Sequence, residues 1–293
     1  MAIAKRVLLF ITLNFLVFFM VSIVFSILAA VFHIPTQGYP FLIAYCVLFG
    51  FGGAFISLLL SKWFAKRRLG VQVIDPNTHD PSLRRLLDIV YSLAKRAQLP
   101  KMPEVGIYPS QEVNAFATGP SKHNSMIAIS SGLLNRMNVD QLEGVLGHEI
   151  THIANGDMVT MTLLQGVINS VVYFVADIVT NMVLGNRRNS FFLSFAVMIV
   201  LENVLFLLGT ALVIAPYSRR REFRADAGSA KYAGRDKMIS ALQALESMQA
   251  LVNPKSQTVS TLKIAGRARS PLMAIFATHP PLEARIRRLQ SGR

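Results

Sequence analysis

Two histidines four residues apart frame the segment His148-Glu149-Ile150-Thr151-His152. On a helix of 3.6 residues per turn they stack on one face. Imidazoles so placed can reach a single cation at the roughly 2.0–2.1 Å that zinc favours. Glu149 directly follows the first histidine and points about a third of a turn away, beside such a metal rather than onto it. A carboxylate there can take a proton from a water whose pKa a metal has lowered to about 7. Histidines that merely pack or hydrogen-bond would satisfy the same helix, but a chance His-Glu-x-x-His is expected in well under ~1% of chains of this size. The only cysteine, Cys46, lies in an apolar run, so neither an intramolecular disulfide nor a cysteine zinc site can be built. His and carboxylate must hold any metal.

A third ligand should lie downstream. Glu222 and Asp226 sit one turn apart in Glu222-Phe223-Arg224-Ala225-Asp226 and share a helix face. Glu222 is the candidate ligand. Asp226 is the candidate acceptor for the ring N–H of a ligand histidine. Taken alone, the pair is better read as an ordinary acidic helix face matched to the arginines at 219–221. His279, stiffened in Thr278-His279-Pro280-Pro281, can donate to the oxyanion formed on attack at a peptide carbonyl, although a histidine before a turn is more often structural. Asn114-Ala115-Phe116-Ala117 has the pattern of a strand ahead of the metal helix. It is either an exposed edge to which an extended substrate adds or an internal strand.

The elements that position these residues are set by composition. Of 293 residues, 52% are hydrophobic and 16% charged, with a mean hydropathy of +0.43. Apolar runs at about 7–32 and 41–60 each reach the ~20 residues that cross a bilayer core as helix. The first run is too long for a cleavable signal peptide and lacks a small-residue cleavage site. Lys5 and Arg6 precede the first run, and Lys62, Lys66, Arg67 and Arg68 follow the second. The turn between carries neither Lys nor Arg, so both outer ends are expected in the cytoplasm. Two less pure runs follow, near 160–184 and 191–215, interrupted by Gln165, Asn169, Asp177, Glu202 and Asn203. Asp177 and Glu202 read either as helix-to-helix hydrogen bonding or as a polar groove for substrate. Two crossings return the chain to the side it left, so Glu222 can meet the histidine pair. The net charge of +14 is assigned to an anionic lipid surface rather than nucleic acid, because the basic residues flank the apolar runs and no aromatic-and-basic motif is present.

The remaining sequence patterns a globular part. A short strand is expected at 71–74, a helix at 81–98, and strands at 104–108, 113–118 and 126–130. The metal helix should run from 139 or 140 to about 155, capped by Asn138 and ended by Gly156. Further helices are expected at 221–233 and 236–251, a polar basic stretch at 253–270, and a short basic helix after Pro281.

The residues quoted above, with Asn114-Ala115-Phe116-Ala117-Thr118-Gly119, Gly147 through Asp157, Arg221-Glu222-Phe223, the run from Ala225 to Ala230 and Thr278-His279-Pro280-Pro281-Leu282, resemble the HtpX family of heat-shock-associated bacterial membrane proteases. More broadly the chain is similar to the peptidase family that includes the CAAX prenyl proteases. The resemblance spans nearly the whole chain. It implies one zinc ion per chain on His148, His152 and Glu222, Glu149 as catalytic glutamate, Asp226 as the supporting acid, and Asn114 and Ala115 as the substrate-binding strand. His279 matches the transition-state histidine. It further implies hydrolysis of misfolded or damaged membrane proteins at the cytoplasmic face of a bacterial inner membrane, as envelope quality control. Arg224 departs from the pattern at a place where some relatives carry histidine; the position is not a ligand position.

The expected architecture is therefore a mainly α membrane protein with four transmembrane helices in two hairpins. A cytoplasmic α+β zincin-like domain with a small β-sheet completes it. The hairpins occupy 1–68 and 158–218, and the peptidase domain is split between 69–157 and 219–293. The alternatives are a non-proteolytic zinc-binding scaffold or sensor, against which Glu149 speaks, and a CAAX-type processing peptidase.

Overall fold

The computed structural model describes residues 38–185, 191–251 and 277–292, with isolated positions 23, 27, 30 and 31. The expected first span at 7–32, apart from those positions, lies outside the described residues. So do the connection at 186–190 and the polar stretch at 253–270. In chain order the described elements begin with helix α1 (Tyr39–Arg68), strand β1 (Gln72–Val73), α2 (Pro81–Arg96), β2 (Glu104–Tyr108), β3 (Ala115–Ser121) and β4 (Asn124–Ser130). They continue with α3 (Ser131–Arg136), α4 (Val139–Asn155), α5 (Asp157–Leu184), α6 (Phe191–Gly209), α7 (Ala215–Ser229), α8 (Arg235–Leu251) and α9 (Leu282–Gln290). The chain divides into two compact units. One is drawn from Met1–Ser57 and Met161–Thr210, the other from Leu58–Thr160 and Ala211–Arg293.

The first unit is apolar helix. Among the described residues, three helical stretches are long and apolar enough to cross a membrane: Tyr39–Arg68, Asp157–Leu184 and Phe192–Met248. Small residues let these helices approach. A Cβ on Gly50 would fall within contact distance of Ser170, and one on Gly166 would strike the Phe51 ring. Asp177 accepts from the Asn181 amide one turn along at 2.9 Å.

The second unit holds a four-stranded sheet in the order β1-β2-β4-β3. The apolar run Met126, Ile127, Ala128 and Ile129 occupies the central strand β4 and is fully buried, as a strand covered on both faces requires. β2 lies parallel to β4, with Glu104 opposite Met126 and Tyr108 opposite Ser130. β3 lies antiparallel to β4 on the other side, with Ala115 opposite Ile129, and it forms one edge of the sheet. Leu86, Leu87, Val90 and Leu93 of α2 share one core with Leu142, Val145, Leu146, Ile150 and Ile153 of α4. Met238 and Leu242 of α8 and Leu282, Ile286 and Leu289 of α9 join it.

Two expected helix boundaries differ. The sequence places a new helix at about 221, yet helix runs without a break from α6 through a π-helical segment, Thr210–Ile214, into α7. Pro216 explains the irregularity. Its ring clashes with the carbonyl four residues back, at Leu212, and a widened turn there relieves the clash without ending the helix. At the second, the expected stop after 233, helix continues through a π-helical segment, Ala230–Gly234, into α8.

Candidate metal centre

Helix α4 begins on a reciprocal cap. The Asn138 side chain accepts from the Gln141 N–H at 2.9 Å, while the Gln141 side chain accepts from the Asn138 N–H at 3.1 Å. It ends at Gly156, whose φ of +71° is the left-handed turn that glycine takes without strain. The helix is buried along Val145–Ile153, so His148 and His152 face protein rather than solvent. Glycines then bring α7 against α4. A Cβ on Gly147 would lie 2.7 Å from Ser229 Oγ, and one on Gly228 would collide with Thr151. Ser229 Oγ seals the crossing by donating to the Gly144 carbonyl at 2.7 Å.

This close crossing delivers Glu222 and Asp226 to the two rings. His148 Nε2 lies 3.3 Å from Glu222 Oε2, and His152 Nε2 lies 3.5 Å from Glu222 Oε1. The two Nε2 atoms are 3.1 Å apart. One ligand atom from each of the three residues falls within 4.8 Å of the others, and all three residues are buried. Both opposite ring nitrogens are occupied. His148 Nδ1 is 2.9 Å from Asp226 Oδ1, and His152 Nδ1 is 2.6 Å from Asp157 Oδ2. With Nδ1–H donated to a carboxylate, each ring can turn an Nε2 lone pair inward to a cation. Two such lone pairs and a carboxylate on one buried point would repel each other unless a proton or a metal ion sat among them.

Charge supports the same conclusion. The buried carboxylates of Glu149, Asp157, Glu222 and Asp226 are matched by two guanidiniums. Arg285 Nε and Nη2 grip Asp226 at 2.8 and 2.6 Å, and Arg221 Nη2 donates to Glu222 Oε1 at 3.1 Å. The carboxylates outnumber the guanidiniums by two, a surplus that a divalent ion held by His148, His152 and Glu222 would offset. The donor set, two imidazoles and one carboxylate, suits zinc.

Glu149 stands beside this cluster, with Oε2 accepting from the Ala117 N–H at 2.8 Å. Burial pushes its carboxyl above the usual range, against the pull of His148 and His152. His279 Nδ1 lies 2.9 Å from Glu222 Oε2. Burial alone would raise the Glu222 carboxyl, but His148 and His279 hold it well below its ordinary value. Asp226 likewise is pushed up by burial, and Arg285 overrides this to hold it at about 2.

The sequence-derived candidates thus fall together, with one qualification. Asn114 and Ala115 border or begin the edge strand β3, but both are buried, and the Asn114 backbone is committed to Ser130 through its N–H and carbonyl. Ala117, two residues on, turns its N–H away from β4 to Glu149. Arg224 is exposed, against the Tyr217 ring. His79 and His123 are exposed and take no part.

Two contributors escaped the sequence reading. Asp157 lies five residues past His152, beyond the glycine turn, and so matches no helical spacing. Arg285 is one of three arginines in α9, but its position carried a signal. Leu282, Arg285, Ile286 and Leu289 recur at i, i+3, i+4 and i+7, the apolar stripe of an amphipathic helix. An arginine within that stripe has to be buried and paired, and Arg285 is fully buried.

Known proteins resemble this chain along nearly its whole length. A family model described as Peptidase family M48 matches residues 82–293. A Protease HtpX homolog of Bacillus subtilis is 46% identical over 300 residues, covering 98% of this chain and 99% of its own. Protease HtpX of Idiomarina loihiensis is 46% identical over 292 residues, covering 99% and 100%. Site, apolar helices and relatives together define a membrane metalloprotease. The chain belongs to peptidase family M48. Its fold is also similar to a crystal structure of S. mikatae Ste24p, with a TM-score of 0.65 and 20% identity over 95% of this chain. This chain covers 63% of that longer protein, less than two thirds of it.

Proposed function

We propose that the chain is a zinc-dependent endopeptidase that cuts misfolded or damaged membrane proteins at the cytoplasmic face of a bacterial inner membrane. The observation that carries the chemistry is the convergence of His148, His152 and Glu222 on one buried point with Glu149 alongside. His148, His152 and Glu222 would hold the ion. Bound there, zinc supplies a Lewis acid that polarises a carbonyl and acidifies water to near neutrality. Glu149 accepts the water's proton and passes it to the departing amine; its raised pKa suits both tasks. The Ala117 N–H keeps its carboxylate aimed. His279 donates to the carbonyl oxygen as negative charge develops. Strand β3, at the sheet edge, offers backbone groups to an extended substrate.

The cytoplasmic assignment is supported by Lys62, Lys66, Arg67 and Arg68 at the end of α1 and by the arginines at 219–221 and 224. The substrate class is supported by the 46% identical relatives named Protease HtpX and by the apolar helices. The test is cleavage of casein and of an unassembled membrane protein by detergent-purified, zinc-loaded enzyme. Glu149→Gln is expected to lower the rate by ~10²–10⁴-fold while zinc is retained. Equal rates for the two forms would exclude the mechanism.

A further inference from the structure

Asp157 is the first residue of α5 and follows the left-handed Gly156 directly. An acid there is ordinarily a helix-terminus residue, favoured by the helix dipole and facing water. Asp157 does otherwise. It is 3% exposed, and its Oδ2 lies 2.6 Å from His152 Nδ1. The Gly156 turn makes this contact possible, because it folds the start of α5 back onto the last turn of α4.

The two histidines are therefore backed by carboxylates in unlike surroundings. Asp226 is gripped twice by the Arg285 guanidinium, which cancels its charge. Among the described residues, the Asp157 side chain pairs with His152 and is gripped by no guanidinium. The short distance is that of a charge-assisted bond. A carboxylate in this position fixes which ring nitrogen carries the proton and makes the other a better donor to a cation.

We propose that Asp157 is a positioning residue for the metal. It locks His152 with Nε2 facing the centre and, through that ring, strengthens the hold on a divalent ion. The proposal rests on the reading of His148, His152 and Glu222 as metal ligands. A purely structural acid at the start of α5 would leave metal affinity untouched.

The experiment measures the Zn²⁺ dissociation constant by competition with a fluorescent chelator, in detergent-purified full-length protein. Wild type, Asp157→Asn and Asp157→Glu are compared, with thermal unfolding of each metal-free form recorded alongside. Asn keeps an oxygen to accept from Nδ1–H but removes the charge. D157N is expected to weaken Zn²⁺ binding by about ten- to a hundredfold, with unfolding of the metal-free protein unchanged. Wild-type affinity in D157N overturns the proposal. If D157N also destabilises the metal-free protein, D157E decides. Recovery of affinity with the charge restored supports the positioning role, and no recovery overturns it. Failure of wild type itself to bind zinc would overturn the ligand reading, a result distinct from either.

Discussion

At the scale of single residues, the buried pair Asp226–Arg285 has consequences away from the chemistry. Asp226 is held at about 2 against an ordinary 3.8, and both partners are buried. A carboxyl whose folded pKa is depressed contributes stability that is fully present above its unfolded pKa. That contribution is lost as pH falls through the folded value. The gap of roughly two pH units corresponds to on the order of 2 kcal/mol. Metal-free protein should therefore lose this much stability between about pH 5 and pH 2. Asp226→Asn should flatten the loss, as read by unfolding at a series of pH values. Arg285→Met is expected to destabilise by ~3–5 kcal/mol, because it strands a buried carboxylate, and adding Asp226→Asn should restore part of that. If the double variant proved no better than the single, the pair would not be the source.

At the scale of elements, the α4–α7 crossing decides whether a site exists. Helices without small residues at their contact pack at 8–10 Å between axes. Here Gly147 of α4 meets Ser229 and Gly228 of α7 meets Thr151, as the collisions of their imagined Cβ atoms show, while Gly144 of α4 is filled by Lys237 and Ala241 of α8. Gly228→Ala is expected to cost about 1–3 kcal/mol through overpacking against Thr151 and to lower zinc occupancy by moving Glu222. Gly52→Ala is the control, since its Cβ would meet nothing within 4 Å among the described residues, and it should change neither. Zinc per chain and thermal unfolding in detergent read both effects. The crossing also explains what the sequence could and could not disclose. The histidine pair, Glu222 and Asp226 announce themselves by spacing along single helices. So do the capped start at Asn138 and the glycine end of α4. Asp157 and Arg285 act across turns and between elements, where spacing along one helix carries no information, although the apolar stripe of α9 could have singled out Arg285. The boundary at 221 was misplaced because a local charge cluster looks like a helix start. The real accommodation, a π segment ahead of Pro216, depends on backbone geometry that no pattern of residue types encodes.

At the scale of the whole molecule, the compact unit that holds the site imposes a rule on topology. His152 and Glu222 belong to the same unit, Leu58–Thr160 with Ala211–Arg293, while Met161–Thr210 between them belongs to the other. If the site's residues lie on one face of a membrane, the chain between His152 and Glu222 crosses it an even number of times. The excursion consists of α5 and α6, each within a membrane-length apolar stretch, so two crossings satisfy the rule. Single cysteines placed at 187 and 188, in a Cys46→Ser background, should then be labelled by an impermeant maleimide added from outside. Cysteines placed at 66 and 220 should be labelled only after the inner face is opened. Labelling of all four from one face would mean that the excursion enters and leaves on the same side without crossing. The even count would still hold, the metal centre would survive, and the span assignment of α5 and α6 would be wrong. The experiment therefore separates the topology from the chemistry.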